Sequence, residues 1–139
     1  MKKFFAALAI LTSVAGSASA EDVVFYCVSE LSTGFTKKDG TWSESSFTPS
    51  RETIKFSPSF EQLIWGGALG HEYRCEPGKR KNILKCQLDD DESEAVKILL
   101  FDKVTGRYVH SQVNGHSYLK GLQGISGGDW VTAGKCEKF

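Results

Sequence analysis

Short stretches in which apolar and polar side chains alternate run through most of this chain, and residues that favour turns separate them. A period of two places every second side chain on one face, as in a β-strand. Stretches of this kind are Thr53 to Ser57, Glu72 to Glu76 and Leu84 to Leu88. Arg107 to Ser111 follows a turn and is expected to be the second strand of a further hairpin. Val96 to Phe101 is more continuously apolar and also predicts a strand. Val23 to Val28 is apolar at every position, which predicts a strand covered on both faces.

The spacing of these strands predicts the fold class. Seven or eight short strands, about 8–12 residues apart, are typical of a small antiparallel all-β meander that closes into a barrel or forms a sandwich. Pairing of the first strand with the last would close the sheet and remove its edges. Phe60, Leu63 and Ile64 have helical spacing instead, so we expect at most one short helical turn, within Ser59 to Trp65. Gly106 occupies a turn where the backbone is expected to be left-handed.

The first twenty residues have the composition of a secretory signal peptide. Lys2 and Lys3 precede an apolar stretch from Phe4 to Leu11, and the small residues from Ala18 to Ala20 suit cleavage after residue 20. The apolar stretch is shorter than the about 20 residues that span a bilayer, so we expect no stable membrane insertion after cleavage. Residues 1–20 are therefore interpreted as a signal peptide, and residues 21–139 as one disulfide-bonded β domain that is periplasmic or secreted.

The charge balance excludes one class of partner. Loss of Lys2 and Lys3 from the 17 basic side chains leaves 15 against 17 acidic ones, a formal charge of about −2. A protein that binds the phosphate backbone carries a surplus of Lys and Arg on one face. We therefore expect no nucleic-acid partner.

Four cysteines, all beyond residue 20, predict two disulfides in an oxidising compartment. Cys75 and Cys86 lie on alternating segments joined by a turn from Pro77 to Asn82, so the segments can form an antiparallel hairpin with these cysteines opposed. Opposed Cα atoms in such a ladder are about 4.5–5.5 Å apart, within the range that a disulfide requires. Pairing Cys75 with Cys86 leaves Cys27 to pair with Cys136.

This pairing places Tyr73 opposite Leu88 and makes the second disulfide join the strands that close the sheet. In the chain-entropy model, the bond that closes almost the whole domain contributes about 4–5 kcal/mol and the hairpin bond about 3 kcal/mol. A zinc site is the rival use of four thiols, but no two of them are spaced as C-x-x-C. We therefore expect disulfides and no metal ion.

No reactive constellation is evident in the sequence. His71 and Glu72 begin an H-E-x-x-H zinc-protease pattern, which fails because residue 75 is cysteine. His71, His110 and His116 have no second histidine three or four residues away, so we interpret all three as surface or loop residues. The chain has no nucleotide-binding fingerprint. We therefore expect no cofactor and favour a non-catalytic protein.

A small hydrolase stays open as an alternative. It would require two or more of five side chains to converge in one cleft, namely His71, His110, His116, Asp102 and Asp129. The acidic run from Asp89 to Glu94 is interpreted as a solvated loop. Calcium binding there stays open, because the run has acidic oxygens but lacks the residue order of an EF-hand.

Three tryptophans are candidate binding residues. Trp42, Trp65 and Trp130 lie near turns or strand ends, where a ring is partly exposed. The alternative is that these rings plug the ends of a small barrel, because a chain of this length needs large side chains to fill its core.

The order of these residues resembles a group of small secreted bacterial proteins. The shared features are an early aromatic strand with a cysteine, a central cysteine pair and a terminal G-x-C-x-x-F pattern, here Phe25-Tyr26-Cys27, Cys75 with Cys86, and Gly134 to Phe139. The resemblance spans most of residues 21–139. It implies export and disulfides, without a particular activity.

A second resemblance is to the periplasmic inhibitors of C-type lysozyme, small barrels with an early Tyr-x-Cys strand and a cysteine near the C-terminus. Their inhibitory loop has the form S-x-S-G-x-R-Y. The corresponding segment here, Thr105-Gly106-Arg107-Tyr108, is one residue shorter and lacks the serines. The resemblance implies that the loop from Val104 to Tyr108 enters a lysozyme cleft, with Arg107 as its charged contact.

Together these patterns predict an exported, non-catalytic binding module that is a monomer. Its expected partner is an envelope or extracellular protein. Inhibition of a cell-wall hydrolase is the first alternative, and a small secreted hydrolase is the second. Carriage of an apolar ligand inside the barrel is a further alternative, which a barrel filled by its own aromatic side chains would exclude.

Overall fold

The structure is a computed structural model that describes residues 20–38, 41–66, 70–89, 95–113 and 128–139. These residues form nine β-strands and no helix. The strands are β1 (Val23–Lys38), β2 (Thr41–Ser46), β3 (Arg51–Phe56), β4 (Gln62–Trp65), β5 (His71–Pro77), β6 (Ile83–Leu88), β7 (Val96–Asp102), β8 (Arg107–Val113) and β9 (Asp129–Lys138). Residues 1–19 of the predicted signal peptide and residues 90–94 of the acidic run lie outside the described part. Within that part, no helix has the length and apolarity needed to cross a membrane.

The nine strands form one antiparallel sheet in the order β2-β1-β3-β4-β5-β6-β7-β8-β9. β1 also pairs with β9, from Phe25 opposite Lys138 to Phe35 opposite Asp129, and this pairing closes eight strands into a barrel. β2 is the additional strand, and it pairs with the second half of β1 while β3 pairs with the first half. The prediction of an all-β meander closed by its first and last strands is confirmed, and the architecture is a barrel.

Both predicted disulfides are present. Cys27 is bonded to Cys136 and Cys75 to Cys86, and each pair lies directly opposed in its ladder. Tyr73 also lies opposite Leu88, as the hairpin register predicts. The first bond therefore joins the two strands that close the barrel. Two disulfides are consistent with an oxidising environment.

The prediction that the first strand is covered on both faces is wrong for β1. Phe25 and Cys27 point inward and are buried, whereas Tyr26 and Val28 are 51% and 46% exposed. A barrel has one layer of sheet, so only the inward face of β1 is covered. Apolar residues on the outer face gave this strand its continuous pattern.

The prediction of a helical turn within Ser59 to Trp65 is wrong, because part of this segment forms β4. Gln62–Trp65 is a strand that pairs with β3 on one side and with β5 on the other. Phe60 lies in the preceding turn with φ at 61°. The helical spacing therefore arose from a turn followed by a strand, and pairing with distant segments decided the outcome.

Aromatic side chains fill one end of the barrel interior. Phe56 and Phe101 are fully buried with ring centroids 5.1 Å apart, and Phe25 packs edge-on against both, at 5.9 and 5.0 Å. Phe25 lies near the start of β1, and the other two rings lie near the ends of β3 and β7. We call this the filled end of the barrel. The opposite end, where β3, β5 and β7 begin and β8 ends, is called the open end.

Candidate functional site

A cavity of about 400 Å³ lies at the open end. Cavities of roughly 300–1,000 Å³ are the usual size for small-molecule sites. Aromatic rings from four different parts of the chain line it, namely Phe47, Trp65, Tyr73 and Trp130. This end of the barrel therefore differs from the filled end in having room for a small ligand.

Strand alternation brings these side chains inward. On β8, Tyr108 and His110 are both buried, with exposed Val109 between them. On β9, Trp130 and Thr132 continue the inward face that holds Cys136 deeper in the barrel. The same period of two that builds the core therefore extends along each strand into the cavity wall.

His110 lies at the centre of the aromatic group. Its ring centroid is 4.4 Å from that of Trp65 and 4.8 Å from that of Trp130. Its Nε2 atom lies 2.9 Å from the hydroxyl oxygen of Tyr73, in a hydrogen bond that either atom can donate. His110 is 5% exposed, so its interpretation as a surface or loop residue is wrong. The reason is its position on a strand, two residues after buried Tyr108.

Burial sets the protonation of this pair. Desolvation, followed by electrostatic interactions with Lys97 and His71, lowers the pKa of His110 to about 4. Desolvation also raises the pKa of Tyr73 well above its usual range. Both side chains are therefore neutral near pH 7, and they form a polar but uncharged contact within an aromatic wall.

Charged side chains also line the cavity. The Lys97 ammonium donates to Nε2 of His71 over 3.2 Å, because a lysine has donors only. Glu52, on β3, is a half-buried lining residue as well. The cavity thus combines aromatic rings with both signs of charge.

Two of the three tryptophans that were predicted as binding residues lie together at this site. Trp65 and Trp130 both contact His110 and both are half-buried. Trp42 lies on β2, the strand outside the closed barrel, and does not line the cavity. The structure therefore separates one of the three candidate rings from the others.

The segment from Thr105 to Tyr108 lies at the filled end, far along the barrel from the cavity. Thr105 and Arg107 are exposed, whereas Gly106 and Tyr108 are buried. Gly106 has φ at 70°, as predicted, and its N–H donates to the carbonyl of Asp102. Its own carbonyl accepts from the N–H of Cys136, so this turn packs against the sheet.

Asp102 holds that turn closed. Its Oδ1 atom accepts from the backbone N–H of Val104 at 2.9 Å and from the Asn82 amide at 3.0 Å. The hydrogen bond from Val104 is the main cause that lowers the pKa of Asp102. A capped turn of this kind is a structural role for Asp102, at the end of the barrel away from the histidines.

Of the five side chains that a hydrolase would bring together, two do converge. His71 and His110 both line the cavity, whereas Asp102 is at the filled end and Asp129 does not line the cavity. His116 lies outside the described residues. Among the described residues, the hydrogen-bond partners of the two histidines are a lysine and a tyrosine. Among the described residues, no three His, Cys, Asp or Glu side chains are placed to hold a metal ion.

Sequence patterns missed the polar half of this site. Glu52, Lys97 and His110 each lie two residues from a fully or nearly fully buried position on the same strand. That spacing marks them as inward-facing, and it is the signal that could have found them. Their convergence depends on closure of the barrel, which one strand alone does not reveal.

Comparisons with known protein families, with curated proteins and with solved structures find no match. The geometry and chemistry of the site itself are therefore the basis for a functional proposal.

Proposed function

We propose that this protein is an exported, non-catalytic binding module that holds a small ligand with a flat apolar body in the cavity at its open end. One observation carries the proposal, which is the half-buried pair Trp65 and Trp130 on either side of His110 in a cavity of about 400 Å³. Their remaining exposed ring surface is apolar area that a ligand ring would remove from water.

Rigidity of the wall supports this function. The inward rings are carried by strands of a closed barrel, and His110 is fixed by ring contacts and by the hydrogen bond to Tyr73. A site that is already formed loses little conformational entropy when a ligand binds. An apolar ligand would bind at the open end, because aromatic side chains fill the other end of the barrel.

Export belongs to the proposal as well. The leader-like residues 1–20, the two disulfides and the resemblance to small secreted bacterial proteins support a periplasmic or secreted location. Reduction of the disulfides in a cytoplasm would remove the bond that joins β1 to β9.

The chemistry of the histidines favours binding over hydrolysis. With its pKa lowered to about 4, His110 is a weak base at neutral pH. Its hydrogen-bond partner is the hydroxyl of Tyr73, whose pKa is raised by burial, so the pair supplies no activated nucleophile. Inhibition through the segment from Thr105 to Tyr108 is not favoured, since half of that segment is buried in the barrel wall.

A cavity-filling variant tests the proposal. Thr132 lines the cavity on β9, and the neighbouring Val131 is 48% exposed on the outer face. We expect Thr132→Phe to occupy the space of the ligand, whereas Val131→Phe adds the same ring outside. Binding of indole, quinoline and 4-methylbenzyl alcohol is followed by the indole N–H signals of the tryptophans in ¹⁵N-labelled protein.

In the wild type and in Val131→Phe, at least one of these probes is expected to shift the signals of Trp65 and Trp130 in a saturable way. In Thr132→Phe, the affinity should fall at least tenfold. The proposal is wrong if no probe shifts these signals in the wild type, or if Thr132→Phe, folded with a native-like melting temperature, binds as the wild type does.

A further inference from the structure

Two side chains of opposite charge face the cavity from opposite walls of the barrel. Glu52 lies on β3 and Lys97 on β7, and both line the cavity. In the closed ring of eight strands, three strands separate β3 from β7 in either direction. The carboxylate and the ammonium therefore approach the cavity from opposed positions, with the aromatic rings between them.

The sequence aims both side chains inward. Glu52 lies two residues before Ile54 on β3, and Lys97 lies two residues before Leu99 on β7. Ile54 and Leu99 are both fully buried, and side chains two residues apart share a face of a strand. Each charge thus occupies the first inward position between the filled core and the open end, and each is half-buried.

Neither charge is neutralised within the described residues. The ion pairs of that part of the chain are Asp22 with Lys55, Arg74 with Asp89, and Glu76 with Lys85. The hydrogen bond from Lys97 to His71 satisfies one donor without adding a negative charge. An inward charge without a counter-ion costs stability, so two of them on facing walls of a cavity indicate a ligand that supplies the counter-charges.

We propose that the ligand is a small zwitterion with a flat body, whose anionic group binds Lys97 and whose cationic amine binds Glu52. The flat body lies between the walls, against Trp65 and Trp130. This assignment rests on the proposed function, because it places charges at the two ends of the ring that the aromatic side chains hold. The opposed positions of Glu52 and Lys97 favour charges at opposite ends of the ring over charges on one carbon atom.

Four ligands with the same ring test this assignment. They are 4-(aminomethyl)benzoate with both charges, 4-methylbenzoate with the anion, 4-methylbenzylamine with the cation, and 4-methylbenzyl alcohol with neither. Calorimetric titration at neutral pH measures their affinities for the disulfide-bonded protein. We expect the zwitterion to bind about tenfold more tightly than either singly charged ligand, because each end gains a charge-assisted hydrogen bond.

Two variants assign each end of the ligand. Lys97→Gln should abolish the preference for 4-(aminomethyl)benzoate over 4-methylbenzylamine, and Glu52→Gln should abolish its preference over 4-methylbenzoate. Lys135→Gln and Glu137→Gln, both on the exposed outer face of β9, are the matched controls and should keep both preferences. The melting temperatures of the two cavity variants should stay unchanged or rise, since each substitution removes an unpaired inward charge.

The outcomes separate this inference from the proposed function. If all four ligands bind with equal affinity, or if the preferences persist in Lys97→Gln and Glu52→Gln, the charge assignment is wrong while the aromatic site stands. If none of the four binds, the neutral alcohol included, the assignment fails together with the site on which it rests. The affinity order in the wild type decides the matter even where a variant does not fold.

Discussion

His110 is a titratable side chain held 5% exposed among aromatic rings, and this position couples it to folding. Its pKa is about 6.5 in an unfolded chain and about 4 in the barrel. Between these values the unfolded state binds the proton more readily, so stability falls as the pH falls from about 6.5 to about 4. Above pH 6.5 the side chain is neutral in both states, so it adds no pH dependence. Below about pH 4 it has lowered the free energy of unfolding by its full amount, about 3 kcal/mol.

His110→Phe should remove this pH dependence. The substitution keeps a ring between Trp65 and Trp130 but cannot titrate, so the free energy of unfolding should change less between pH 4 and 6.5 than in the wild type. At pH 7 the variant should lose about 1–3 kcal/mol, because the buried hydroxyl of Tyr73 loses its partner. Urea denaturation at a series of pH values measures both effects.

His71→Gln is the control for that experiment, since His71 is exposed and is the smallest of the three causes that lower the pKa of His110. It should retain most of the slope between pH 4 and 6.5. A slope in His110→Phe equal to that of the wild type would show that another group is responsible.

At the scale of elements, the turn between β7 and β8 is a closely packed connection. Gly106 has φ at 70°, and an added Cβ would collide with the carbonyl of Cys136. Gly66, after β4, also has positive φ, at 92°, but among the described residues its Cβ would meet no atom closer than 3.8 Å. Substitution of Gly66 therefore tests backbone strain alone, whereas substitution of Gly106 tests backbone strain together with crowding.

Gly66→Ala should destabilise the protein by about 1 kcal/mol, the cost of a left-handed alanine. Gly106→Ala should cost more than about 2 kcal/mol, because the chain must also move away from β9. The difference in the free energy of unfolding between the two variants is the measurement. Equal losses would contradict the close packing of this turn on the closing strand.

Most of the strands, and the register of the β5–β6 hairpin, could be predicted from local patterns. Alternation around Cys75 and Cys86 defined one hairpin, and opposition of these cysteines fixed its pairing. β4 escaped prediction because four residues are too few to separate a period of two from a helical period, and its partners are distant in sequence. The prediction for β1 was wrong because apolar side chains such as Tyr26 lie exposed on its outer face.

The candidate site was predictable only in part, for a related physical reason. Trp65 and Trp130 stand out as large rings near strand ends, and both reach the cavity. Glu52 and Lys97 lie 45 positions apart in the sequence, on strands that face each other only after the barrel closes. No local pattern contains that relation, so the rings could be predicted from the sequence and the pair of charges could not.

At the scale of the whole molecule, closure divides the barrel interior into two parts. The bond between Cys27 and Cys136 joins β1 to β9, and the core rings fill the end where these two strands respectively begin and finish. The other ends of the same strands carry Ser32, Trp130 and Thr132 into the cavity. The filled end therefore supplies stability, and it leaves the open end free to carry polar and half-buried aromatic groups.

The position of a ring ligand relative to the three tryptophans tests the central claim most directly. The measurement is the set of intermolecular nuclear Overhauser effects between the ring protons of 4-(aminomethyl)benzoate and the indole protons of the protein. We predict contacts to Trp65 and Trp130 and none to Trp42, which lies outside the closed barrel. Contacts confined to Trp42, or no contact to Trp65 and Trp130 at saturating ligand, would contradict a binding site at the open end.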